Sequence, residues 1–217
     1  MSSVDEIYKK QELANAITHG IGALLSAVGL LFLMMKANET GYNRLIISFL
    51  IYGIAITFLF TASTLYHSFH TPKTKKIMQI LDHIGIYLMI AGTYTPFAMI
   101  SLAKPWGDWL LILVWSIAGL GIVFKLFFTG RFKRVSTVIY LAMGWLAIIA
   151  IKPMFEAIHF NGMMLIFTGG LCFSVGVIFY IRDKYSYNHA IWHLFVLAGG
   201  ICHYFAVFFY TYPNLVS

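Results

Sequence analysis

Charge is scarce in this chain of 217 residues: Asp, Glu, Lys and Arg make up 11% of it, against 60% hydrophobic residues. A soluble domain would confine its apolar residues to one face of each helix. Several segments here are apolar all round, which excludes a separate soluble domain and fits helices that face lipid. Cysteine is nearly absent. Cys172 and Cys202 both fall in apolar segments, where a thiol behaves as a small hydrophobe, so no disulfide framework is implied. The last apolar run holds no lysine, which sets aside a retinal Schiff-base pump. No linker, repeat or low-complexity stretch is visible, and 1–217 reads as one membrane domain.

What is present is hydrocarbon in runs of about twenty residues, the length needed to cross a bilayer as a helix. Seven spans follow, roughly 15–36, 45–68, 77–100, 109–129, 135–152, 162–181 and 187–210. The expected fold is all-α, an integral-membrane seven-helix bundle. Its first run is too long for the core of a signal peptide and is expected to stay as a span.

The formal net charge is +7, but the basic residues sit in short clusters between apolar runs rather than along one amphipathic face. That argues against nucleic acid and for membrane orientation. With the N-terminus in the cytoplasm, eleven Lys and Arg lie inside (Lys9, Lys10, Lys73, Lys75, Lys76, Lys125, Arg131, Lys133, Arg134, Arg182 and Lys184) and four outside (Lys36, Arg44, Lys104 and Lys152). This bias predicts a cytoplasmic N-terminus and an extracytoplasmic C-terminus.

Against that background Asp82 stands out as a carboxylate inside an apolar run. An intramembrane acid is costly to keep and implies a partner and a task. The same topology places His67, Asp82, His189 and His193 within roughly 10 Å of the inner interface, at about 1.5 Å of rise per residue. His189 and His193 are four apart, so on a helix they share a face and can chelate one ion. His67 from another span would complete three ligands with an open fourth position, the arrangement of catalytic zinc sites. Spacing alone leaves open that the pair are interfacial histidines bonded to headgroups or carbonyls. Ser63 lies on the His67 face and either bonds back to its own helix or orients His67, Asp82 or a bound water. Asp82 either reaches toward Lys75 and Lys76 or serves as a general base beside the ion.

Of the remaining histidines, His203 is expected to be a core residue too deep to share the ion, His83 to point about 100° away from Asp82, and His70 and His159 to lie in loops. Glu12, Asn15, Thr18 and His19 share one face of span 1, expected chiefly as polar glue between helices, with a supporting shell over the ion as the alternative.

Taken together these motifs resemble the progestin and adipoQ receptor superfamily, in its bacterial hemolysin III-like branch. The resemblance rests on Glu12, Asn15, Thr18 and His19, on Ser63 and His67, on Asp82 with Gly85 and Ile86, on Pro96, and on His189, His193 and His203. It implies a seven-helix bundle with Zn2+ near the inner leaflet of the bacterial plasma membrane, ligated by His67, His189 and His193, with Asp82 acting through the bound water and Ser63 nearby. It further implies hydrolysis of a membrane-lipid amide or ester and a part in lipid homeostasis. A zinc-stapled sensor of membrane state and a lytic protein are the competing expectations. The chain lacks the long N-terminal region of the adiponectin receptors and has His83 where they carry Tyr, so hormone reception is not expected.

Overall fold

A computed structural model describes residues 3–182 and 184–212. Among them there are only helices and turns: α1 (Ser3–Thr40), α2 (Asn43–Ser68), α3 (Pro72–Pro96), a π-helical turn (Phe97–Ser101), α4 (Trp106–Phe128), α5 (Lys133–Gly144), a 3-10 turn (Leu146–Ala150), α6 (Ile151–Ala157), α7 (Phe160–Ile181) and α8 (Asn188–Tyr210). Seven of the resulting segments are long and apolar enough to cross a membrane, α3 together with its π turn and α5 through α6 each counting once. The seven expected spans are therefore all present, and the protein is integral to the membrane.

Local chemistry sets the ends. Asp5 and Glu6 lie in the first turn of α1, where negative charge suits the helix dipole. Gly41, at φ +63°, stops α1 in the left-handed conformation that glycine adopts at no steric cost. Pro72 opens α3 at a position whose N–H needs no partner. Helix α1 begins well before the expected residue 15: residues 5–10 are exposed, and Glu12 is buried and pairs with Lys75 of α3.

The fifth span departs most from expectation. It is broken after Gly144 and resumes as α6 to residue 157. Pro153 accounts for the break, since its ring would clash with the carbonyl four residues earlier in a continuous helix. Tyr94 of α3 takes up the freed backbone groups: its hydroxyl donates toward the carbonyls of Gly144 (2.8 Å) and Met143 (3.1 Å) and accepts from the Ala147 N–H (3.0 Å).

Helices α1, α2 and α3 pack in sequence, α7 packs on α8, and α8 returns to α1. Two close approaches draw neighbouring helices together. Gly85 lies against the Leu59 backbone, where a Cβ would come within 3.0 Å of Leu59 Cα, so α3 is drawn onto α2. Gly169 and Gly199 face each other across α7 and α8, each with a would-be Cβ 3.0–3.1 Å from the other's carbonyl oxygen. Small residues of this kind let membrane helices approach closely.

Candidate metal centre

His67 is in the last turn of α2, and His189 and His193 are in the first two turns of α8. One nitrogen from each of the three lies within 4.8 Å of the other two. The rings lie close, with centroids 5.1 Å apart for His67 and His189 (tilted), and edge to face at 5.1 Å for His67 and His193 and 4.6 Å for His189 and His193.

Hydrogen bonds settle which nitrogens are offered. His67 Nδ1 lies 3.1 Å from Glu12 Oε1 and donates to that carboxylate, which leaves Nε2 as the lone-pair nitrogen. His67 Nε2 is buried and has no hydrogen-bond partner in the protein. His193 Nδ1 is 3.2 Å from both the Asn15 carbonyl and the Thr18 hydroxyl; Thr18 gives its own proton to the Ala14 carbonyl and so can accept. His193 Nε2 is thereby the free ligand atom as well. A histidine whose second nitrogen is tied to a carboxylate or carbonyl is the usual arrangement around a bound metal, because that bond fixes the tautomer and raises ligand basicity. An unpaired buried polar nitrogen costs about 1–3 kcal/mol, and a divalent ion would satisfy it. The donor set therefore fits a metal ion.

Glu12 is the residue that sequence reasoning undervalued. It was expected as interhelical glue, yet it is buried, orients His67, and pairs on its other oxygen with Lys75. Lys75 also donates to the Tyr66 carbonyl (3.3 Å) and lies over the Tyr66 ring. Because Lys75 is engaged with Glu12, it does not serve Asp82. The signal was in the spacing of Glu12, Asn15 and Thr18, three polar residues on one face, but their target could not be seen until α1 was placed against α2 and α8. His19 completes that face: its ring stacks on His193 at 3.5 Å, and both its nitrogens are buried without hydrogen-bond partners.

Asp82 lies beside this cluster, with its side chain 15% exposed, within Coulombic reach of His67 and facing the Ser63 hydroxyl. Ser63 is buried and its Oγ bonds to no helix carbonyl, so the back-bonded alternative does not hold. His83 gives its Nδ1 proton to the Gln79 carbonyl (2.7 Å), and the same nitrogen is 4.0 Å from Asp82 Oδ2. His203 bonds the Ile166 carbonyl (3.0 Å) as a core residue. His70 is exposed, while His159 caps α7 by accepting from the Asn161 N–H (3.2 Å).

Ser63, Asp82, His189 and His193 all line one cavity of about 640 Å³, a size typical of small-molecule sites. From these residues it runs between α3, α5, α6, α7 and α8 to apolar walls that include Met154, Phe155, Met163 and Phe167. The cavity thus brings two of the three metal-type donors, a carboxylate and a hydroxyl together with a largely apolar chamber, and His67 stands beside them.

Comparison with known proteins follows the same lines. The family model described as "Haemolysin-III related" matches residues 7–204. Hemolysin-3 of Bacillus cereus is 49% identical over 207 residues, which cover 95% of this chain and 94% of that one. The Hemolysin-3 homolog of Bacillus subtilis (strain 168) is 51% identical over 201 residues, covering 93% and 94%. The human monocyte to macrophage differentiation factor is 27% identical over 210 residues, covering 94% and 86%.

Proposed function

The chain belongs to the haemolysin-III-related family, and from that membership we propose that it is a zinc-dependent integral-membrane hydrolase that cleaves an amide or ester of a membrane lipid. The observation that carries this reading is the set of three histidine nitrogens within 4.8 Å of one another, two of them from His189 and His193, which line the same cavity as Asp82 and Ser63. A structural zinc site is closed by four protein ligands, whereas a catalytic one has three and keeps a position for water or substrate.

His67, His189 and His193 would hold the ion. A Zn2+ there supplies Lewis acidity and lowers the pKa of water toward neutrality. Asp82 takes a proton from the attacking water and passes it to the departing amine or alcohol, the two-way role of a positioned carboxylate. Ser63, whose Oγ has no other hydrogen-bond partner, faces Asp82 and can offer it its hydroxyl proton. Glu12 holds His67 in the correct tautomer, and Asn15 and Thr18 do the same for His193. The apolar length of the cavity takes the acyl chain and keeps bulk water from the scissile bond. With eleven of its fifteen Lys and Arg on the side of the metal centre, the protein sits in the bacterial plasma membrane with its N-terminus and this site toward the cytoplasm.

The test is made on protein purified into lipid nanodiscs, with bound zinc measured by mass spectrometry and fatty-acid release followed from N-acyl and O-acyl lipids. Asp82→Asn should retain zinc and lose turnover by about 10²–10⁴-fold, the contribution of a general base. Zinc-loaded protein that releases no fatty acid would defeat the reading and leave the ion as a staple between α2 and α8.

A further inference from the structure

Lys125 lies near the end of α4 and is 1% exposed. Its ammonium donates to the Ser136 hydroxyl (2.6 Å) and lies 5.9 Å from the ring centres of Phe124 and Tyr140. Among the described residues no carboxylate pairs with it. A buried cation inside a membrane span is expensive unless a counter-charge reaches it, and a neutral hydroxyl with two ring faces supplies none. The bias of basic residues toward one side of the membrane does not account for it either, because that rule is satisfied by exposed residues in loops.

Lys125 lines the same cavity as His189 and His193. Around it the wall is polar and basic: Arg131 and Gly130 from the α4–α5 turn, Lys133 at the start of α5, and Gln79 and His83 from α3. Lys133 stands 4.3 Å over the Tyr180 ring, and Tyr180 in turn is 6.1 Å from His189 by ring centres. One aromatic ring therefore separates this basic rim from a metal-type ligand. The far end of the cavity is apolar.

Resting on the reading that the cavity receives a membrane lipid, we infer that its rim at Lys125 and Arg131 binds the anionic, phosphate-bearing head of that lipid. Lys125 neutralises the phosphate from inside the bundle and Arg131 from the exposed edge, where its planar guanidinium can hold two oxygens at once. The acyl chain then runs toward Met154, Met163 and Phe167, and the bond next to the head lies near the His189 and His193 face. A neutral lipid would leave Lys125 without a counter-charge and should be discriminated against.

The experiment uses the full purified chain in neutral detergent and follows binding by the fluorescence of Trp145 and Trp192, which line the cavity. The probes are 1-oleoyl lysophosphatidic acid, 1-oleoylglycerol and inorganic phosphate. The phosphate lipid should bind about tenfold or more tighter than the neutral one, as expected for a charge-assisted contact in a buried site. Lys125→Met and Arg131→Gln should each remove most of that preference while leaving bound zinc unchanged. Lys125→Met keeps the side-chain length and removes a buried charge, and Arg131 is exposed, so at least one variant folds. Equal binding of the two lipids, or a preference untouched by both substitutions, overturns the inference. Inorganic phosphate that competes as well as the phosphate lipid also overturns it and assigns the rim to the free ion. A head preference retained in Asp82→Asn, or in wild-type protein that hydrolyses nothing, upholds this inference even where the hydrolase reading fails.

Discussion

Helices α2 and α3 bury 56% and 67% of their most apolar stretch inside the bundle, whereas the α5–α6 span and α7 bury 22% and 17%. Both walls face the same cavity, and they are built for different tasks. The tight wall carries Ser63 and Asp82 on the cavity and His67 beside it, and Gly85 packs closely against Leu59 there. Metal ligation tolerates little displacement, so its donors belong where packing and hydrogen bonds leave no freedom. The loose wall offers Met154, Phe155, Met163 and Phe167 along a broken span. Methionine is unbranched and adapts to irregular shapes, which suits a wall proposed to accept acyl chains. Position is fixed on one side, and length is accommodated on the other.

Mutations should separate the two walls. The largest effect belongs to the histidines: His67→Ala with His193→Ala should abolish zinc binding, measured as metal per mole of purified protein, and zinc retained in that double variant would remove the metal centre altogether. Next comes Glu12→Ala, which releases the Nδ1 proton of His67 and should weaken zinc about 10–100-fold in a chelator competition, as the loss of an outer-shell partner typically does. At the boundary between the walls, Tyr94→Phe strands the backbone groups around Gly144 and Ala147 and should destabilise the protein by about 1–3 kcal/mol in a detergent melting curve, with zinc content unchanged. Smallest is Phe155→Leu, half exposed on the loose wall: it should shift stability by no more than about 0.5 kcal/mol, while altering which acyl-chain length is preferred. A Phe155 variant as damaging as the Tyr94 one would mean that the loose wall is as rigidly packed as the other.

Much of this could be read without coordinates. Seven apolar runs gave seven spans, and loop parity brought His67, Asp82, His189 and His193 to one end of the bundle, where three of them now lie within ligand reach. What stayed hidden has physical reasons. Trp145 through Ile151 is as apolar as its surroundings, so hydropathy ran through the break that Pro153 and Tyr94 create. Glu12 read chiefly as polar glue between helices, because its burial and its bond to His67 depend on helices far away in sequence. Lys125 was counted as a cytoplasmic charge by position along the chain. Only the rotation of α4 about its axis, which composition does not encode, turns that ammonium inward.

The histidine cluster also bears on how the molecule is made. Its donors come from residue 67 and from residues 189 and 193, and its outer shell comes from residues 12 to 18. Synthesis therefore delivers the supporting face first, one donor soon after, and the remaining two only when α8 emerges. During most of translation His67 is an ordinary imidazole near the membrane surface, with no partner able to trap an ion prematurely. Loading of the proposed metal site can follow only after the last helix has inserted and met the first, so its occupancy would report that the bundle has closed.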